Sequence, residues 1–233
     1  IMLLAASTAP SKDWVSYQKI RKFMNLTAGS LTALHALIAF TPLYDVVASG
    51  IIGAPREIIA PARTGLMIML PWTWAIAYRR FNQGVLIRFQ NSLIVGKGTL
   101  VRLGADLLVL AAGYWINLPG IVVATSAVAA GVISEAVYIG IKVRPVIHSQ
   151  LKPSPPASPP LTRKSFLRFY IPLALTSLMT LLSQPLISSA LSRMPRALDS
   201  LAVWPVISGL LFLLRSAGVA FNEVVVALLD KPQ

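Results

Sequence analysis

The sequence predicts an all-α integral membrane protein, and three observations predict it. Six apolar stretches, at 23–44, 58–77, 98–116, 119–141, 170–191 and 201–221, each approach the length of about 20 residues that a helix needs to cross a bilayer core. Of 233 residues 55% are hydrophobic and 12% charged, with a mean hydropathy of +0.69. That is half the charge of an ordinary soluble domain, about 25%. The third observation is where the positive charge lies. Lys12, Lys19, Arg21 and Lys22 precede the first stretch, Arg79, Arg80, Arg88 and Lys97 follow the second, and Lys142, Arg144, Lys152, Arg163, Lys164 and Arg168 follow the fourth. The intervening connections hold only Arg56, none, and then Arg193 with Arg196.

Basic residues accumulate on the cytoplasmic side of a membrane. The alternation therefore predicts a multi-pass protein of the plasma membrane (a bacterial inner membrane). Residues 142–168 and the C-terminal end then face the cytoplasm. In a soluble chain the net charge of +13 would point to nucleic acid. Here its placement assigns it to the lipid bilayer as partner, with no nucleic-acid role. The chain has no cysteine, which excludes disulfides, thiolate metal sites and a cysteine nucleophile. It has no glycine-rich phosphate loop, metal-binding histidine cluster or serine-nucleophile elbow. No cofactor and no enzymatic activity are expected.

In chain order, 1–9 is apolar but too short to span and reads as the remnant of a helix. Lys12–Lys22 is a basic opening segment whose Trp14, Val15, Tyr17 and Ile20 are expected to rest on the membrane surface. The first span contains His35 and ends at Phe40, Thr41 and Pro42. In 45–62, Gly50, Gly53 and Pro55 interrupt an apolar run that carries Asp45, Arg56 and Glu57, fitting a short outer helix or the mouth of a cavity. Across 78–97, Phe81, Val85, Phe89 and Leu93 recur every four residues, the pattern of an amphipathic helix lying on an anionic leaflet. Ala124, Ala127, Gly131, Ala136 and Gly140 give the fourth span a stripe of small residues, which lets helices in lipid approach closely. The run from Ser154 to Pro160 holds four prolines and is an extended linker. It divides the chain into 1–150, the later part of a first bundle, a cytoplasmic linker at 151–165, and 166–233, the start of a second. Pro172, Pro185 and Pro205 place bends in the last two spans.

Ionisable residues inside spans are costly and usually face a bundle interior or a water-filled cavity. Arg102 and Asp106, four apart, fall on one helical face and pair. Glu135 has no partner nearby in sequence, and Arg215 in the last span lies at a similar depth. Arg215 is the natural holder of an anion, because guanidinium binds carboxylate and phosphate bidentately. His35 reads as a neutral, hydrogen-bonded core histidine or as a protonatable group, and Arg63 as a residue reaching to the interface. Arg215, Glu135, Asp106, Arg102 and His35 are thus the candidates for a substrate or ion pathway.

Several segments together resemble the MOP flippase superfamily of multidrug exporters and polysaccharide-lipid flippases. They are Phe40-Thr41-Pro42-Leu43-Tyr44-Asp45 followed by Gly50-Ile51-Ile52-Gly53, then Tyr78-Arg79-Arg80-Phe81-Asn82-Gln83-Gly84, and Leu201-Ala202-Val203-Trp204-Pro205-Val206. The nearest branch is similar to the progressive ankylosis transporter. The resemblance implies two six-helix bundles related by an internal repeat, with 1–9 as the end of helix two and the six spans as helices three to eight. It implies a fragment of a longer protein. It also implies export of a small solute, such as an organic or phosphate-containing anion, by alternating access with H+ or Na+ as coupling ion. Two alternatives stand beside it: a lipid-linked oligosaccharide flippase of the same fold, and a non-transporting scaffold subunit.

Overall fold

The computed structural model describes residues 2–8, 11–156, 158 and 160–229, and their side chains except at 2, 5, 180, 215, 217 and 219–229. Every regular element among them is helical. In order these are α1 (Met2–Thr8), α2 (Trp14–Phe40), α3 (Leu43–Asp45) leading into a π-helical segment (Val46–Ile52), α4 (Arg56–Ile68), α5 (Leu70–Arg88) and α6 (Ser92–Trp115). They are followed by α7 (Gly120–Val146) with a π-helical extension (Ile147–Leu151), α8 (Arg163–Ser192) and α9 (Ala197–Leu229).

Among the described residues four helical stretches are long and apolar enough to cross a membrane: Trp14–Phe40, Gly120–Leu151, Arg163–Ser192 and Ala197–Leu214. Several apolar helices able to span suit a multi-pass membrane protein, and four of the six expected stretches lie in helices of this kind. The stretch 58–77 is not one helix. It divides at Met69 between α4 and α5, because Pro71 in the opening turn of α5 has no N–H to continue the ladder. The stretch 98–116 lies in α6, which has the length at 24 residues but is interrupted by Arg102 and Asp106.

Two surface assignments are also corrected. Residues 78–88 do not lie on a leaflet. They form the second half of α5, where Arg79, Phe81, Asn82, Gln83, Gly84, Val85 and Leu86 are all buried. The amphipathic spacing was real, but both faces of the helix are covered, by α1 and α2 and by α7. Tyr17 and Ile20 likewise belong to α2, which starts at Trp14 because the Asp13 carboxylate caps it, accepting from Ser16 N at 2.6 Å. Val15, by contrast, is exposed.

The centre of the fold is α7, packed against α4, α5 and α6. Its small residues make this possible. A Cβ at Gly131 would overlap the Asp106 carboxylate, and one at Gly140 would press on the Tyr78 ring. Ala127 and Ala136 are buried on the same helix, whereas Ala124, expected in this stripe, is exposed. Around the centre, Tyr17, Ile20, Met24, Phe81, Val85, Ile139 and Val143 form one core. The α8–α9 pair touches this body mainly at the ends of α8. Phe166 and Tyr170 pack on Phe23 with ring centroids 5.0 Å away. Ser192 Oγ donates to Ile52 O at 2.9 Å.

Candidate functional site

The most polar part of the interior lies where α5 crosses α7. Glu135 is 1% exposed and occupies the middle of α7. Its Oε2 accepts from Arg79 Nη1 in a buried ion pair. Its Oε1 accepts from Gln83 Nε2 at 2.7 Å. The Gln83 carbonyl oxygen in turn accepts from Arg80 Nη1 at 3.3 Å. Arg79 and Gln83 are one helical turn apart, so both reach the same carboxylate from one face of α5. A buried charge is tolerated only when paired and hydrogen-bonded, and both Glu135 oxygens meet that condition. Glu135 was expected to carry a proton or to meet Arg215. Its partner in the structure is Arg79, expected instead in a surface connector. A lone carboxylate in the run 117–141 demands a cation, but several basic segments offer a cation and an amide on one helical face, Arg21 with Asn25 as well as Arg79 with Gln83, so spacing alone did not select the partner.

Beside this cluster is a cavity of about 290 Å³. Its walls come from the first turns of α2, the middle of α5 and the last turns of α7 with its extension. Trp14, Tyr17 and Tyr78 supply aromatic surface, and Asn82 is the neighbour of Gln83 that turns to it. The charged residues in its lining are Arg21, Arg144 and Lys152, accompanied by His148, with no carboxylate. Lys152 Nζ lies 5.3 Å over the Trp14 ring and donates to His148 Nδ1 at 3.4 Å. Trp14 stacks on Tyr17 at 5.4 Å. The lining thus combines a flat aromatic wall with three cations, a chemistry suited to anions.

The remaining expected residues lie elsewhere. Arg102 and Asp106 pair at 3.6 Å along α6. The Asp106 carboxylate fits over Gly131, and its Oδ1 is buried with no hydrogen-bond partner among the described residues. His35 Nε2 donates to Leu66 O at 2.9 Å, and Nδ1 accepts from Thr73 Oγ1 at 2.6 Å. The carbonyl can only accept, so these bonds suit the neutral Nε2–H tautomer. His35 therefore ties α2 across the α4–α5 junction. Arg63 does not simply reach to the interface: its Nε and Nη2 donate to Ala39 O and Thr41 O at 3.0 and 3.2 Å, capping the C-terminus of α2. The side chain of Arg215 lies outside the described residues. Of the five expected residues, the structure brings only Glu135 into the polar cluster, and none of those described lines the cavity. Searched against known proteins, the chain matches no family model, no curated protein and no solved structure.

Proposed function

We propose that this chain forms part of a membrane transporter that exports a small anionic solute by alternating access, in the manner of the MOP superfamily it resembles. The supporting observation is the buried Arg79–Glu135–Gln83 cluster, in which Glu135 sits on a helix apolar enough to span and is held by α5, next to a polar cavity. Ionisable groups inside such helices are rare, and they mark solute and ion pathways. On this reading the basic end of the bundle faces the cytoplasm of a bacterial cell, and Glu135 is the residue through which H+ or Na+ would couple. No step calls for covalent chemistry.

The test is flux from proteoliposomes loaded with a panel of small organic anions. Replacing both charges together (Arg79→Gln with Glu135→Gln) keeps neutral hydrogen-bonding groups in the core. Transport should fall at least about tenfold while protein yield and melting temperature hold. Unchanged flux in a well-folded double variant would remove the cluster from the pathway. Absence of flux for every solute in the unmodified chain would favour the scaffold alternative.

A further inference from the structure

We propose that the cavity between α2, α5 and α7 is a phosphate-binding site at the membrane surface, with Arg21, Arg144 and Lys152 as its cationic rim. The inference goes beyond the transport reading and stands without it.

Three observations carry it. First, the charge is of one sign: the rim holds two guanidinium groups and an ammonium, with no acidic residue in the lining. Among the described residues none of the three is in an ion pair with a carboxylate. Cations left uncompensated around a concavity attract an anion from outside, and the field is focused by the low-dielectric walls. Second, the number and kind of donors select among anions. Two guanidinium forks and one ammonium match the several oxygens and near-double charge of a phosphate monoester. One carboxylate would engage a single fork and leave the rest unpaired.

Third, the place in the fold sets where the ligand comes from. The walls are the opening turns of α2, from Trp14, and the closing turns of α7, to His148. Both helices belong to stretches long enough to span, of 27 and 32 residues, so their ends extend past the hydrocarbon core of about 30 Å. The half-buried Trp14 at this level matches the aromatic belt that sits among lipid headgroups. Basic residues beside a spanning helix are also the usual receptors for acidic headgroups. The phosphate is therefore either that of an acidic phospholipid or that of a soluble phosphate or phosphomonoester arriving from the adjoining compartment.

The experiment uses the full chain in nanodiscs and reads Trp14 fluorescence, with the other tryptophans replaced by phenylalanine, alongside equilibrium binding of radiolabelled inorganic phosphate. One set of discs is pure phosphatidylcholine, titrated with phosphate. A second set contains increasing phosphatidate and no free phosphate. Arg21→Gln and Arg144→Gln are each expected to weaken the response at least about tenfold. Arg144→Lys, which keeps the charge, should recover part of it. Arg163→Gln with Lys164→Gln, equally basic positions outside the cavity, should leave it unchanged. A saturable response to free phosphate identifies a soluble ligand, and a response to phosphatidate alone identifies a headgroup. The proposal is overturned if neither probe gives a saturable response. It is equally overturned if the Arg163 and Lys164 changes weaken binding as much as Arg144→Gln, since that would mean diffuse surface charge.

Discussion

The stretches Gly120–Leu151 and Ala197–Leu214 are closely matched in apolar character, yet a third of the first is buried and none of the second. The first is the hub of the α1–α7 body. The second belongs to α9, whose contacts are largely with α8. The difference shows that apolarity and packing are separate properties of a membrane helix. Lipid tails are as apolar as leucine, so apolar side chains alone give two helices little reason to associate. What distinguishes α7 is a set of small residues that let neighbours close in, and a carboxylate that needs a partner. Gly209 of α9 has open space around it, and the described α9 side chains offer no comparable buried polar anchor.

That contrast can be broken most strongly at the anchor. Glu135→Ala leaves Arg79 charged and unpaired in the core, which should cost about 3–5 kcal/mol. The outcome should appear as loss of monodisperse protein in detergent, and the paired replacement Arg79→Met with Glu135→Leu should recover most of it. An equal loss in the pair would show that the side chains matter for shape and not for charge.

The next effect concerns the small residues. Gly131→Leu and Gly140→Val place side chains where the Asp106 carboxylate and the Tyr78 ring lie, and overpacking of this kind costs about 1–3 kcal/mol. Gly209→Leu meets nothing and should leave the melting temperature unchanged. Parallel thermal unfolding of the three variants decides the point. A destabilised Gly209→Leu would reveal packing on α9 comparable to that on α7.

Two smaller effects sharpen the boundary between the regions. His35→Ala removes both part-buried bonds across the α4–α5 junction, and about 0.5–1.5 kcal/mol should be lost for each. His35→Gln, able to donate to Leu66 O, should recover part. Ser192→Ala removes the bond from the end of α8 to Ile52 O, worth about 0.5–1.5 kcal/mol. Its consequence is local: faster hydrogen exchange over the last turns of α8, with α5 and α7 unaffected. Exchange that rises everywhere would mean that the two regions unfold as one unit.

The legible part of the fold followed from short-range signals. The short connection at Asn117 and Leu118 separated the third stretch from the fourth, and the structure ends α6 at Trp115 and starts α7 at Gly120, whereas the Asp13 cap that starts α2 lay inside a segment expected on the membrane surface. The Arg102–Asp106 pair followed from a spacing of four along one helix, and the structure shows it. The α5 segment was illegible for a physical reason. Its pattern of apolar residues every fourth position, with arginines between, is shared by a helix on a leaflet and by a helix whose polar face meets a buried carboxylate. Only the position of α7 distinguishes them. The break at Met69 was foreshadowed by Pro71, yet proline is tolerated inside spanning helices, so residue type alone did not divide the stretch 58–77.

The sequence by itself determined that the chain is helical, with several stretches long and apolar enough to cross a membrane, because length and apolarity are summed properties that need no partner. It also determined which residues would be costly to bury. Which partner relieves each cost was decided only by tertiary structure, since Arg79 and Glu135 are 56 positions apart and no local rule connects them. The cavity is of the same kind. Arg21, Arg144 and Lys152 are unremarkable basic residues along the chain, and they become a cationic rim only because the start of α2 lies beside the end of α7.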